Sequence, residues 1–262
     1  MNIIVCIKQV PGTNKVEVDP VTGVLKREKV DSKMNPYDLY ALETALRLKE
    51  AHGGVVKVIS MGPPQAKEVL KEAFSMGADD GVLISDRAFG GSDVLSTSYT
   101  LSQGIKKLDG FDLILCGKQT TDGDTAQVGP ELSEFLKIPS VSNVTKLIEV
   151  TNENITVEMD MQNTVEIAKI NFPCLLCVDK DIFQPRLPSY LKKMATKNKE
   201  IRVLSLNDFE DKNTDNYGLN GSPTQVQRIF PPESNGDHEL WAGDGKSVTT
   251  KLYDKIKELK FV

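Results

Sequence analysis

Residues 112–136 read "DLILCGKQTTDGDTAQVGPELSEFL". An apolar run, "DLILC", gives way to a polar loop with glycines at 117 and 123, and then to a helical pattern. Short apolar runs of this kind suit a buried parallel strand. Pro130 is comfortable only near a helix start, so the helix begins close to it or is kinked there. A strand that ends in a flexible polar turn and leads into a helix is the repeating unit of an α/β sheet.

The same unit recurs upstream. "IIVCI" (3–7), "VVKVISM" (55–61) and "GVLIS" (81–85) read as further strands. Helical patterns separate them. "NPYDLYALETALRLKEA" offers Asn35 as a cap, Pro36 at the first helical position and Asp38 near the positive helix end, with Leu39, Leu42 and Leu46 on one stripe. "PPQAKEVLKEAFSMG" is opened by prolines and closed by Gly77, and "SDVLSTSYTLSQGIKKL" takes Ser92 as its cap. Residues 16–28 read as an exposed hairpin with its turn at Asp19–Gly23.

This alternation predicts an α/β fold: a doubly wound, mostly parallel sheet with helices on both faces. In such sheets ligands bind beyond the carboxyl ends of the strands, near the point where strand order reverses. The turns after residues 7, 61 and 116 therefore mark the functional edge. After residue 140, "ITVEMDM" and "TVEIAKINF" alternate like antiparallel strands and "PCLLCV" is apolar, so the sheet is expected to extend. From Gln184 the chain is polar until an amphipathic segment, "VTTKLYDKIKELKFV", at its end. The expected division is an α/β domain over 1–183 and, over 184–262, a long C-terminal arm that packs on another chain.

Composition narrows the function classes. Of 262 residues, 39% are hydrophobic and 26% charged, as in ordinary globular proteins, and the net charge of −5 lends no support to nucleic-acid binding. No apolar run reaches the ~18–20 residues of a membrane span. The N-terminal "MNIIVCIKQV" enters a strand directly and lacks the charged start of a signal peptide, so a cytoplasmic location is expected. Cys174 and Cys177 form a CxxC, but in a strand positions i and i+3 face opposite sides, which argues against a metal or redox pair. The first strand carries no GxGxxG. "GDGKS" (243–247) has Leu240 where a P-loop needs Gly. Nothing in the chain nominates a catalytic acid or base.

The loop 117–128 remains. Gly117 and Gly123 let the backbone approach a ligand closely, and the following helix start favours an anion. Thr120, Thr121, Thr125 and Gln127 add hydrogen-bonding groups, whereas Asp122 and Asp124 would repel a phosphate. The residues alone leave two readings open, a plain surface turn or a phosphate cradle. Residues 184–201 mix five basic side chains with Leu187, Tyr190, Leu191 and Met194, which suits either a solvated linker or a docking segment.

Four stretches, "MNPYDLYALETALRLKE", "SMGPPQAKEVLKEAFSMGAD", "LILCGKQTTDGDTAQVG" and "PRLPSYLKKMATKNKEI", together resemble the β (small) subunit of electron transfer flavoproteins over roughly residues 1–205. The resemblance implies a heterodimer with an α subunit that holds a redox FAD, while the β subunit carries its own nucleotide, AMP in the simple members. Carried over by position, the nucleotide site comprises Cys6, Asn35, Pro36, Tyr37, Asp38, Met61, and the loop Gly117, Lys118, Gln119, Thr120, Thr121, Asp122, Gly123, Asp124, Thr125, Ala126, Gln127 and Val128. The resemblance also implies that the C-terminal arm begins with a partner-recognition loop, which maps to Pro185–Ala195, with Leu187, Tyr190 and Leu191 as apolar contacts. Mammalian-type members have an Asn and a Thr where this loop has Ala126 and Val128.

"DGDTAQVGPE" is instead similar to the electron-bifurcating members. Those place a second FAD in the β site, take hydride from NADH, and divide the electrons between ferredoxin or flavodoxin and a dehydrogenase acting on acyl-CoA or 2-hydroxy acids. The subunit would act only within such an oxidoreductase complex. The alternatives are a non-bifurcating electron carrier with structural AMP, or a nucleotide-binding protein of similar fold.

Overall fold

The computed structural model describes residues 1–12, 32–227 and 238–262. The hairpin expected at 16–28 lies outside the described residues. The chain divides into two compact units, Met1–Gln227 and Arg228–Val262.

The first unit is built on a parallel core. Strands β1 (Asn2–Cys6), β4 (Val55–Met61), β5 (Asp80–Ile84) and β6 (Leu113–Gly117) alternate with helices α1 (Pro36–His52), α2 (Lys67–Met76), α3 (Val94–Ile105) and α4 (Val128–Leu136). β2 (Gln9–Pro11) and β3 (Ser32–Met34) form a separate antiparallel pair. Later in the chain come β7 (Ser140–Val150), β8 (Asn154–Asp160), β9 (Val165–Asn171), β10 (Cys174–Val178), the short α5 (Tyr190–Ala195) and β11 (Arg202–Leu204). The nine-stranded sheet runs β11-β5-β4-β1-β6-β10-β7-β8-β9. Its pairs are parallel from β11 to β7, and β7-β8-β9 is antiparallel.

Each strand sends alternate side chains to opposite faces, and both faces are covered. Ile3 and Val5 pack with Leu42, Leu46, Leu70 and Phe74 of α1 and α2. Ile4 packs on the other face with Leu101 and Ile105 of α3 and Leu132 of α4. Cys174 joins the first cluster and Cys177 the second, as strand geometry demands of an i, i+3 pair. Both are buried and free, and burial pushes both thiols well above the ordinary cysteine range. Among the described residues no group of three His, Cys, Asp or Glu is arranged to hold a metal. Among the described residues no helix is long and apolar enough to cross a membrane.

Two sequence expectations change and one gains detail. Asp93, not Ser92, caps α3: its carboxylate accepts the Ser96 amide at 3.1 Å, while Ser92 donates to the Phe89 carbonyl. The sheet extends as expected, through antiparallel β7-β8-β9 and through the "CLLCV" strand. That strand inserts as β10 between β6 and β7, where its apolar side chains are buried on both faces. The region after residue 184 is also less detached than its polarity suggests. β11 pairs with β5, and Phe209 and Tyr217 are buried in an aromatic group with Phe89 and Tyr99. The compact first unit thus runs to Gln227, whereas the sequence reading drew its line after residue 183.

In the second unit the described structure is α6 (Gly245–Glu258), capped by Asp244, whose carboxylate accepts the Ser247 amide at 3.0 Å. Leu252, Tyr253, Leu259 and Phe261 are exposed along and just beyond it.

Candidate functional site

Strand order reverses at β1. The chain moves outward from β1 to β4 and β5, then crosses through α3 to β6 on β1's other side. The crevice of a doubly wound sheet opens at such a reversal, outside the carboxyl ends of the flanking strands. Here those ends are Cys6 and Gly117, next to the register pair Cys6–Cys116, with Met61 at the end of the neighbouring β4. The sequence-based site residues from the strand ends, from residues 35–38 and from the loop after β6 therefore share one edge.

Asn35 ties this edge together. It stands at the N-cap position of α1, but its side chain makes no cap bond. The amide nitrogen instead donates to the Gln119 carbonyl at 2.9 Å, and the amide oxygen accepts the Thr121 amide at 3.2 Å. Its own backbone N–H donates to the Lys8 carbonyl at 2.8 Å. A fully buried side-chain amide needs both a donor and an acceptor partner, and the loop supplies them. The capping role expected of Asn35 is replaced by this bridge from the helix start to the loop.

Asp38, also buried, accepts the Lys8 amide at 2.7 Å. Burial pushes its carboxyl up to about 7, against the opposing pull of the Asn35 amide, the Lys8 amide and the Lys8 charge. Pro36 and Tyr37 are half-buried in the first turn of α1. Gly117 admits this turn: a Cβ there would come within 2.6 Å of the Tyr37 carbonyl carbon and 2.5 Å of an Asp38 oxygen. The close approach expected of Gly117 is thus made by the protein's own helix. Gly123 is different, since a Cβ there would meet only the Thr120 hydroxyl, at 3.3 Å.

The loop's charges are engaged internally. Lys8 Nζ lies 2.8 Å and 2.9 Å from the two Asp122 oxygens. Partial burial opposes ionisation of Asp122, but the hydrogen bond and charge of Lys8 outweigh it and hold the carboxyl below its usual range. Asp124 accepts from the Gln119 side chain at 2.9 Å, and Lys118 pairs with Asp179 at 2.8 Å. The Asp124 amide donates to the Thr120 carbonyl at 2.9 Å, which closes the turn. Asp124 and Ala126 then take left-handed backbone angles, φ 51° and 55°.

From Thr125 through Gly129, where α4 begins, the backbone amides donate to no other described residue. α4 also has no side-chain cap. Residues 121–127, with Thr125 and Gln127 among them, are exposed. Gly129 lets the helix start sit on β6 and β10, since a Cβ there would collide with the Cys177 sulfur. The arrangement is a run of free N–H groups at a helix N-terminus, beside carboxylates that are already partnered, and it is suited to bind an anion.

Sequence reasoning missed Lys8 and Glu131. Lys8 carries no motif; only its place just past a strand end marks it. Glu131, in the first turn of α4, has one buried carboxyl oxygen without a partner among the described residues, and burial raises its affinity for a proton despite a hydrogen bond from Ser98.

The segment that leads into α5 lies apart from this edge and is fastened to the α1/α2 side. Arg186 Nε donates to Glu43 at 2.8 Å and its terminal nitrogens reach Glu50, one at 2.5 Å. Ser189 N donates to the Ser75 carbonyl at 2.9 Å, and Lys192 Nζ to the Met76 carbonyl at 3.2 Å. Held in this way, the segment presents Leu187, Tyr190 and Leu191 at 87%, 73% and 79% exposure.

Comparison with known proteins agrees with this architecture. Residues 22–209 match the electron transfer flavoprotein domain. The chain is 45% identical over 262 residues to the electron transfer flavoprotein subunit beta of Clostridium acetobutylicum, covering 100% of both. It is 44% identical over 260 residues to the caffeyl-CoA reductase-Etf complex subunit CarD of Acetobacterium woodii, covering 98% of each. Protein FixA of Bradyrhizobium diazoefficiens is 38% identical over 262 residues, which span 98% of this chain and 91% of FixA. With most of its length matched by the domain and relatives aligned end to end, the chain belongs to the electron transfer flavoprotein family, as a β subunit.

Proposed function

We propose that the crevice between the ends of β1 and β6 holds an FAD, and that the chain works as the β subunit of an electron-bifurcating heterodimer. The observation that carries this reading is Ala126. It stands at φ 55°, where a non-glycine residue with a Cβ is strained by about 1–2 kcal/mol and where Asn is better tolerated. Strain kept at a ligand edge points to a functional need. A methyl group in place of a longer side chain leaves room over the free amides of the loop.

The chain's own groups would then act as follows. The amides from Thr125 to Gly129 and the positive end of α4 receive the pyrophosphate. The Thr125 hydroxyl and the Gln127 amide add hydrogen bonds. Lys8 neutralises Asp122, which would otherwise repel the anion. Asn35 fixes the loop against α1. A bound FAD would supply the redox chemistry, two-electron exchange with NADH and one-electron exchange with ferredoxin or flavodoxin and with the α-subunit FAD that feeds a dehydrogenase. One relative is named as a subunit of a caffeyl-CoA reductase complex, which favours a partner acting on acyl-CoA over one acting on 2-hydroxy acids. That donor and those acceptors assign the complex to the cytoplasm.

Leu187, Tyr190 and Leu191 are proposed to dock the dehydrogenase. The second unit, with the exposed apolar residues of α6, is proposed to pack on the α subunit. The test is an anaerobic NADH titration of the co-expressed heterodimer. Bleaching of flavin absorbance, followed by ferredoxin reduction only when the second acceptor is present, supports bifurcation. A heterodimer that NADH leaves oxidised contradicts it and favours the simple carrier with AMP.

A further inference from the structure

Asp38 is 5% exposed, in the first turn of α1 behind the crevice. Three segments around it contribute groups that act on its carboxyl. The segment after β1 brings the Lys8 amide and ammonium, the start of α1 brings the Asn35 amide, and β6 brings the Gly117 amide and the Cys116 thiol. Lys8 is the one cation among these, and it is committed to Asp122 at 2.8 Å. Cys116 is held protonated, well above the ordinary thiol range, by its hydrogen bond with Cys6 and by burial. The carboxyl of Asp38 cannot turn toward solvent, because one oxygen holds the Lys8 amide and the other lies against Gly117.

An anion entering this crevice does two things to such a group. It adds negative potential nearby, and it removes what water still reaches the carboxylate. Both favour the neutral acid. We propose that Asp38 takes up a proton from solvent when an anionic nucleotide binds, and so compensates the ligand's charge from beneath the crevice. Its carboxyl already rests near 7 through burial, so a modest further push suffices to protonate it at neutral pH. This rests on the reading that the crevice binds a nucleotide, but not on which one.

The test is calorimetric titration of the nucleotide-free heterodimer with FAD, and separately with AMP, in buffers of different ionisation enthalpy from about pH 6 to about pH 8. Wild type should take up a proton on binding FAD, and its affinity should fall with rising pH, by up to about tenfold per unit above 7. Asp38→Asn, which keeps the shape and removes the titration, should bind without that uptake and with a pH slope near zero. The AMP phosphate itself titrates near ~6, so with AMP the readout is the difference between wild type and variant. Equal proton uptake in wild type and variant overturns the proposal. Proton-neutral binding by wild type overturns it even if the variant fails to fold. Asp38-dependent uptake with AMP but no binding of FAD would sink the FAD reading and leave this proposal standing. Binding of neither nucleotide would end both.

Discussion

Asp38 and Glu43 lie five positions apart on α1, and each is almost fully buried, yet they sit in opposite electrostatic states. Asp38, at the crevice, has only backbone and amide donors in direct contact, and burial raises it to about 7. Glu43 faces the segment that Arg186 fastens to α1. Burial pushes it upward too, but hydrogen bonds from Arg186 and Arg47 win and hold it below the ordinary range. One helix therefore carries a carboxyl raised by burial at the proposed ligand edge and an ion-paired carboxylate beneath the proposed docking segment. The difference shows that burial alone does not set a carboxyl's role. A committed guanidinium does.

The largest expected effect breaks the comparison on the Asp38 side. Its folded value lies above the unfolded 3.8, so its contribution to stability is fully present below about pH 4 and is lost as pH rises through about 7. Between those limits the group should remove roughly 4 kcal/mol. Urea unfolding of Asp38→Asn against wild type, repeated across that range, should show the variant gaining relative stability as pH rises; parallel curves would refute the assignment. Next is Arg186→Ala. It strips a partner from a buried carboxylate and should cost about 3 kcal/mol, with Glu43 keeping Arg47. Proteolysis should then cut near residues 185–195 faster, and an unchanged cutting rate would show that Arg186 does not anchor the segment.

A smaller effect belongs to the proposed docking surface. Replacing Tyr190 and Leu191 with Ala should weaken dehydrogenase binding by about 2 kcal/mol. Both are largely exposed, so the melting temperature and flavin content should stay as in wild type. Loss of flavin instead of affinity would place these residues at the wrong site. The smallest effect is on the loop. Ala126→Asn should relieve left-handed strain and stabilise the fold by at most about 1 kcal/mol, while it lowers FAD occupancy. A variant that is more stable and retains full FAD would remove the argument from Ala126.

Most of the parallel core was legible because its strands are short, apolar and bounded by helices. β4 spans the residues its pattern indicated, and β1, β5 and β6 are displaced by one residue. That the proposed site residues share one edge was equally readable, since the sheet's reversal and the glycine-bearing loop fall at the same strand ends. β7 went unseen because "SVSNVTKLIEV" is polar and two register shifts interrupt its alternation. β11 is three residues long, too short for any period. Phe209 and Tyr217 sit in a polar stretch and reach the core through Phe89, an aromatic partner distant in sequence. Asn35 looked like a cap because caps depend on local neighbours, whereas its actual partners, Gln119 and Thr121, lie far along the chain. Lys8 was invisible for the same reason: its role comes from Asp122 and Asp38, which only the fold brings near.

The central claim, that the β1/β6 crevice holds a flavin, is tested most directly by counting cofactors. The co-purified heterodimer is denatured, and the released nucleotides are separated and quantified against protein. The account predicts two FAD per heterodimer, one of them lost when Gly117→Val drives a side chain into the start of α1. One FAD and one AMP per heterodimer would contradict it, and would make the loop after β6 the seat of a structural nucleotide.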